Sequence, residues 1–386
     1  MHVRFRGVNE AFRGLVQTLD EADGGEGGCE VVRVGSRNGP VMRVVGPVTV
    51  SYDRPRERVL LNTARDANPF LMLYESLWML AGRNDVAPLA YYAERMRDYS
   101  DDGRILNGAY GYRWRHPWSG DYARPDQIKT LVDHLRANPN SRRAVLQMWN
   151  VEDDLLKIDS SKDVCCNLCV LFSIQEVEVK GTMFCNSHKR AGEYYKMQKV
   201  LDMTVFNRSN DMIWGTLGND FVCFSVLQEY VAAHLGAEVG VYNQVSNDLH
   251  VYLEGNSGWK PKKWLKEYES PEISTEQWYT NNSMKMVPLV QDPVTFDLEL
   301  GIVVQYHSGQ GCTAEQERAI EFLEEPFLRD VVDPMFCAFT LHKVRAYSEA
   351  IKKIDEVAID DWREAGRNWL LRRQKNWEKK LKVESL

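Results

Sequence analysis

Apolar residues recur at helical spacing in some stretches of the chain and crowd into β-branched runs in others, and the two patterns alternate. Glu10 to Leu19 carries a short helical pattern and is followed by Gly24-Gly25-Glu26-Gly27-Gly28, which predicts a helix and then a mobile loop. Ser36-Arg37-Asn38-Gly39 is a turn signal. The valine-rich Val41 to Tyr52 behind it reads as an extended strand kinked at Gly46-Pro47, so Arg37 sits on a loop before a strand. Phe70 to Leu80 is helical and apolar around a single carboxylate, Glu75, and a further helix is predicted from Asp126 to Arg136. Val164 to Ile174 and Val200 to Asn207 read as strands. The polar stretch between them is too long for a tight hairpin and predicts an inserted excursion over about 176–199. Asp220 to Leu235 is a long apolar helix, and Val245 to Tyr252 is strand-like or loop. Val294 to Tyr306 reads as strand. Ala314 to Lys382 is mostly helical, with Trp362, Trp369 and Leu370 on one side of its last helix and a basic end at Arg372 to Lys382. No internal repeat is present.

Composition narrows the class. A chain of 386 residues can bury a sizeable core, as one large domain with an appendage or as two. A formal net charge of −7 opposes general adhesion to nucleic acid, so a phosphate-handling role needs a local arginine cluster and points to a small phosphorylated ligand. Eight cysteines without a charged-then-apolar leader fit free thiols in a reducing cytoplasm, and charges interrupt every hydrophobic run before it reaches membrane-spanning length.

Chemistry concentrates in Asp163 to Phe172, with Cys165, Cys166 and Cys169, and in Phe206-Asn-Arg-Ser-Asn-Asp211 farther on. A thiol attacks carbon as thiolate, which a nearby guanidinium favours, so each cysteine is a nucleophile, a metal ligand or a small buried hydrophobe. Cys166-x-x-Cys169 followed by Cys185-x-x-His188 has zinc-like spacing. On a regular strand, however, residues three apart face opposite ways, and no Gly or Pro breaks Val164 to Ile174. Asn107-Gly-Ala-Tyr-Gly-Tyr-Arg-Trp-Arg115 suits a loop closing on a flat polar ligand. Asn138-Pro-Asn-Ser-Arg-Arg143 sets two guanidiniums at the mouth of a buried strand, where they could receive a phosphate.

In this order, these pieces resemble thymidylate synthase and its phage-type relatives, the deoxyuridylate and deoxycytidylate hydroxymethylases. The likeness runs from Arg37 through Tyr74-Glu-Ser-Leu-Trp78, the Asn107 and Asn138 segments, the Cys166 strand, Asn207-Arg-Ser-Asn-Asp211 and Gly215 with Asn219, to Asp248-Leu-His-Val-Tyr252. The resemblance implies an α/β (α+β) fold, a mixed sheet with surrounding helices. With the helical pattern that follows Tyr306, the reading is a catalytic domain at 1–306 and a helical C-terminal extension at 307–386. It makes Cys166 the nucleophile, with Phe172 at the family's strand aromatic. Arg37, Arg208 and Ser209 would bind the substrate phosphate, helped by Arg142 and Arg143 from the other subunit of a homodimer. His250 and Tyr252 would contact the sugar hydroxyl, Asn219 would read the pyrimidine edge, Asp211 would face the folate, and Glu75 with Tyr110 would handle protons.

The implied reaction needs such groups. Carbon 5 of a pyrimidine attacks nothing until a thiolate adds at carbon 6 and makes the ring enolate-like, able to take the one-carbon unit of methylenetetrahydrofolate. Asn167 and Leu171 depart from the family's histidine and glutamine. Arg95-Met-Arg-Asp-Tyr99 replaces a folate-side tryptophan region, and Lys379 to Leu386 lacks the family's closing tail. These departures touch the late step, where water instead of hydride would yield a hydroxymethyl product. The expectation is 5-hydroxymethylation of deoxyuridylate. A methylating thymidylate synthase, a deoxycytidylate hydroxymethylase and a silent nucleotide- or nucleic-acid-binding homologue stand as alternatives.

Overall fold

The computed structural model describes residues 1–116, 126–185, 190–255, 258–269, 279 and 286–384, the side chains of 181–194 and 384 excepted. In chain order the elements are β1 (His2–Phe5), α1 (Val8–Asp23), β2 (Val31–Ser36), β3 (Gly39–Val44), β4 (Val48–Tyr52), α2 (Pro69–Leu80), α3 (Val86–Tyr92), α4 (Tyr110–Arg115) and α5 (Gln127–Ala137). Then come β5 (Val145–Gln147), β6 (Asn167–Cys185), β7 (Arg190–Asn207), β8 (Asn210–Asp211), α6 (Asn219–Leu235), β9 (Glu238–Ser246), β10 (Leu249–Tyr252) and α7 (Pro261–Leu265). The last helices are α8 (Pro293–Tyr306), α9 (Ala314–Ile320), α10 (Asp333–Lys343), α11 (Tyr347–Ile354) and α12 (Asp360–Glu384).

A six-stranded mixed sheet runs β1-β4-β9-β7-β6-β5 and a four-stranded one runs β2-β3-β10-β8. The Gly46-Pro47 kink therefore does more than bend a strand: it sends β3 and β4 into different sheets. Against the large sheet lies α6, apolar on nearly every face, with Gln228 donating to the carbonyls of Leu201 and Gly240. Next to it packs α2, opened by Pro69 and by Asn68 Oδ1, which accepts from the N–H groups of Phe70 and Leu71. The C-terminal helices cover the other side of α2, where Phe70 meets Phe339 and Trp369, and Tyr74 meets Phe336. Trp362, Trp369 and Leu370 are all buried, as the sequence pattern requires. No helix of the described residues is long and apolar enough to cross a membrane.

Three expectations are corrected. Val294 to Tyr306 is helix, not strand, because Phe296, Leu300, Val303 and Val304 recur at helical spacing and are buried, and Asp292 caps the N–H of Thr295 at 2.8 Å. Valine richness alone misleads there. The excursion over about 176–199 is no insertion between strands: β6 and β7 continue through it, paired from Gln175↔Val200 to Cys185↔Arg190. Its polarity reflects a ribbon whose described residues are largely exposed. The Asn107 segment is not a free ligand-closing loop either, since Tyr110–Arg115 is helical and Arg113 is buried. His188 lies outside the described residues, as does the side chain of Cys185, so the zinc-like spacing falls partly outside them.

Candidate active site

The ladder of β6 starts at Asn167, so Cys166 stands just ahead of it, and the pairing with β7 slips between Asn167 and Cys169. Neither glycine nor proline makes this break. It is pinned from outside by Asp154, whose Oδ1 accepts the N–H of Cys165 at 2.9 Å. Arg113 forks onto Asp154 at 2.5 and 3.2 Å and donates to the carbonyls of Met148 and Asn107 at 2.6 and 2.8 Å. Both charges are out of water, and the extra hydrogen bonds offset the desolvation that a lone buried pair would suffer. The consequence is a rigid cysteine turn. Cys165 is buried inside it, its thiol donating to the carbonyl of Asn167 at 3.0 Å, which is a structural thiol. Cys169 is partly buried within the ladder.

Cys166 points the other way, with Sγ 3.6 Å from Nη2 of Arg208. That guanidinium is fixed by the carbonyls of Cys165 and Val164, each at 2.8 Å, and its backbone N–H donates to the carbonyl of Cys166 at 2.9 Å. Burial pushes the Cys166 thiol up; Arg208 and Arg37 oppose this, while Asp220 and Asp163 add to it. Arg37 reaches the cluster from the β2–β3 turn and donates to the carbonyls of Ser161 and Lys162 at 3.1 and 2.6 Å. Ser209 follows Arg208 directly and is half-buried. The small sheet supplies His250, which pairs in register with Asp211 and lies 3.1 Å from Asp248 Oδ1. Its ring stands edge-on to Tyr252, whose phenol burial pushes up while the neighbouring Asn38 side chain pulls it down.

From the helix side, Asn219 Nδ2 donates to Glu75 Oε2. Asn219 is itself buried, at the first turn of α6, and Glu75 is the one half-buried position in an otherwise buried α2. Burial pushes the Glu75 carboxyl up to about 7 against the pull of Asn219 and Arg95. Asp220 is likewise pushed up to about 7, by burial first and then by the charges of Glu75 and Asp211. Tyr110 opens α4, packs on Phe224 at 5.9 Å and is raised by burial, with Asp220 and Cys166 within Coulombic reach. Two protonatable carboxyls and a neutral phenol thus share one cleft with the thiol.

Asp211 is spent on structure. Its Oδ1 accepts the N–H groups of Ile213 and Trp214 at 2.8 and 3.3 Å and so orients Trp214, over whose half-buried ring Arg95 lies at 4.2 Å. Arg142 and Arg143 are exposed between α5 and β5, and the structure does not tie them to the cluster. Cys166, Arg37, Arg208, Glu75, Tyr110, Asn219, His250 and Tyr252 converge from β2–β3, α2, α4, β6–β8, α6 and β10, and Ser209 is brought in only as the neighbour of Arg208. Sequence reasoning missed Arg113 with Asp154, which nothing in an acidic stretch announces, and the buried polar group Asn210, Tyr242, Gln244 and Ser246. The last had a signal, since alternation along β9 puts Tyr242, Gln244 and Ser246 on its buried face.

A family model described as thymidylate synthase matches residues 30–292. A deoxyuridylate hydroxymethyltransferase of Pseudomonas phage M6 is 38% identical over 354 residues, covering 90% of each chain. A deoxyuridylate hydroxymethyltransferase of Bacillus phage SP01 is 36% identical over 221 residues, which is 56% of this chain and 52% of that one.

Proposed function

Because the chain belongs to the thymidylate synthase family, we propose that it transfers a one-carbon unit from methylenetetrahydrofolate to carbon 5 of deoxyuridylate and releases the 5-hydroxymethyl nucleotide. The observation that carries the base assignment is the contact of Asn219 with Glu75. It spends one N–H of the amide, leaving the other N–H and Oδ1 as the donor and acceptor that the uracil edge requires. Asp220, the carboxylate that would favour cytosine in that place, instead lies against Gly215, where a Cβ would fall 3.2 Å from its Oδ2. The hydroxymethyl outcome draws support from both phage relatives.

Cys166 Sγ adds to carbon 6 of the ring beside Arg208, whose charge stabilises the thiolate as it forms. Arg37, Arg208 and Ser209 hold the 5′-phosphate, and Arg142 and Arg143 complete that grip in the other subunit of a two-fold homodimer, which suits their exposed position. His250 and Tyr252 hold the sugar hydroxyl. Glu75, with a pKa of about 7 and hydrogen-bonded to the base reader, exchanges protons at the ring oxygen and, with Tyr110, at carbon 5. Methylenetetrahydrofolate supplies carbon at the formaldehyde level. Trp214, with Arg95 stacked on its half-buried ring, would help hold that group, and Asp211 positions the indole through its two N–H contacts. We assign this chemistry to residues 1–306 and a bracing role to 307–386, whose aromatic contacts with Phe70 and Tyr74 back the helix that carries Glu75.

The test incubates enzyme and methylenetetrahydrofolate with deoxyuridylate or deoxycytidylate, weighs the product and follows dihydrofolate by absorbance. A hydroxymethyl product from deoxyuridylate without dihydrofolate is expected. A methyl product with matching dihydrofolate, or turnover of deoxycytidylate alone, overturns the proposal.

A further inference from the structure

Behind the base reader lies a polar group that the steps above do not use. Asn210 Nδ2 donates to Gln244 Oε1 and to Ser246 Oγ, both at 3.0 Å, and its Oδ1 would stand 2.0 Å from a Cβ at Gly215, beside which Asp220 Oδ2 also lies. Gly215 is thus where a bare backbone lets both side chains close in. Tyr242 Oη and Gln244 Nε2 are both fully buried; the amide is near enough to oppose the upward push of burial on the phenol, but the pair falls outside hydrogen-bonding geometry, and among the described residues neither atom has another partner. The Asp220 carboxylate accepts no hydrogen bond from a described residue, while its charge acts on Tyr242, Tyr110 and Cys166. One donor and one hydroxyl, both fully buried, and one half-buried carboxylate, none with a hydrogen bond to another described group, match the two to four polar partners of a bound water.

Resting on the hydroxymethyl reading, we propose that Asp220, Tyr242 and Gln244 form the site that binds and deprotonates the water which completes the reaction. After loss of the carbon 5 proton and departure of tetrahydrofolate from the transferred carbon, the nucleotide carries an exocyclic methylene and is still bonded to Cys166 through carbon 6. The water oxygen bonds to that methylene carbon and its proton passes to Asp220. The methylene's electron pair moves into the ring as the carbon 4 enolate, which collapses to restore the 5,6 double bond and expels the Cys166 thiolate; Asp220 then passes its proton on to that thiolate and regenerates the thiol. No oxidant or reductant is consumed. A carboxylate close enough for its charge to act on Cys166 serves as base, and the glutamine and tyrosine fix the water's orientation.

The step runs backwards without folate, so it is read separately from carbon transfer. Wild-type enzyme given 5-hydroxymethyl-deoxyuridylate in ¹⁸O-water should exchange the hydroxymethyl oxygen. Asp220→Asn should lower that exchange by about 100-fold or more. In a single turnover with folate, the same variant should still release tritium from carbon 5 of deoxyuridylate, and an added thiol should trap the exocyclic methylene. Exchange at the wild-type rate, or loss of tritium release together with exchange, overturns the assignment. Should Asp220→Asn not fold, Tyr242→Phe decides by the same readouts: reduced exchange with tritium release intact supports the site, and unchanged exchange rejects it. A wild type that yields methyl product and exchanges no oxygen defeats the functional reading itself, whereas failure confined to the variants defeats only the water site.

Discussion

Glu75→Gln should stabilise the protein as pH rises while abolishing turnover. The carboxyl titrates near 4.5 in the unfolded chain and at about 7 in the fold, where burial between α2 and α6 disfavours its charge. Between those values the folded protein holds a proton that the unfolded chain has lost. Ionisation therefore weakens the fold progressively from pH 4.5 upward, and the loss is complete above about 7. At about 1.4 kcal/mol per pKa unit the displacement is worth roughly 3 kcal/mol, and solvent contact in the cleft reduces this to about 2 kcal/mol. Glutamine keeps the shape and still accepts from Asn219, so the stability difference between variant and wild type should move by about 2 kcal/mol in the variant's favour between pH 5 and pH 8. Taking the difference cancels the carboxylates elsewhere. Relief of the charge on Asp220 adds with the same sign. Urea unfolding of both proteins at both pH values measures it. A difference that stays flat with pH, or moves the other way, would mean that Glu75 is ionised in the fold and held by Arg95, and the proton-exchange role would fail with it.

Cys166→Ser should abolish turnover and leave deoxyuridylate affinity within a few-fold, whereas Cys165→Ser should stay active because serine can keep the bond to the Asn167 carbonyl; calorimetric titration beside an activity assay separates the two. An inactive Arg143→Ala chain mixed with an inactive Cys166→Ser chain should regain activity in exchanged dimers, where one site holds both wild-type groups. No recovery despite demonstrated exchange would place the arginines in their own subunit's site. Asp154→Asn should cost about 3–5 kcal/mol by leaving the Arg113 charge buried and unpaired, read by urea unfolding. A loss below 1 kcal/mol would show that the pair does not hold the cysteine turn.

Helical and strand periods identified α2, α6, β6 and the buried tryptophans of α12, because burying one stripe or one face leaves its mark every three to four residues or every two. The same logic misread Val294 to Tyr306, where β-branched content outweighed the spacing of Phe296, Leu300, Val303 and Val304, and it missed that polar residues at 176–199 continue a strand pair. A two-stranded ribbon has little core to bury and so writes little hydrophobic signal.

The sequence by itself determined the chemical inventory and the family: the cysteine strand, Glu75, Asn219, the arginine segments and His250 with Tyr252 are readable because each sits in a short local motif. Tertiary structure alone decided which of these groups meet. It turned Cys165 inward and Cys166 toward Arg208, gave Asp211 to the Ile213 turn, set Asn219 rather than Asp220 on Glu75, and left Asp220 beside Gly215. Those choices depend on which side chains from distant elements lose water together. Desolvation and Coulomb energy follow distance in space, and separation along the chain carries no record of it.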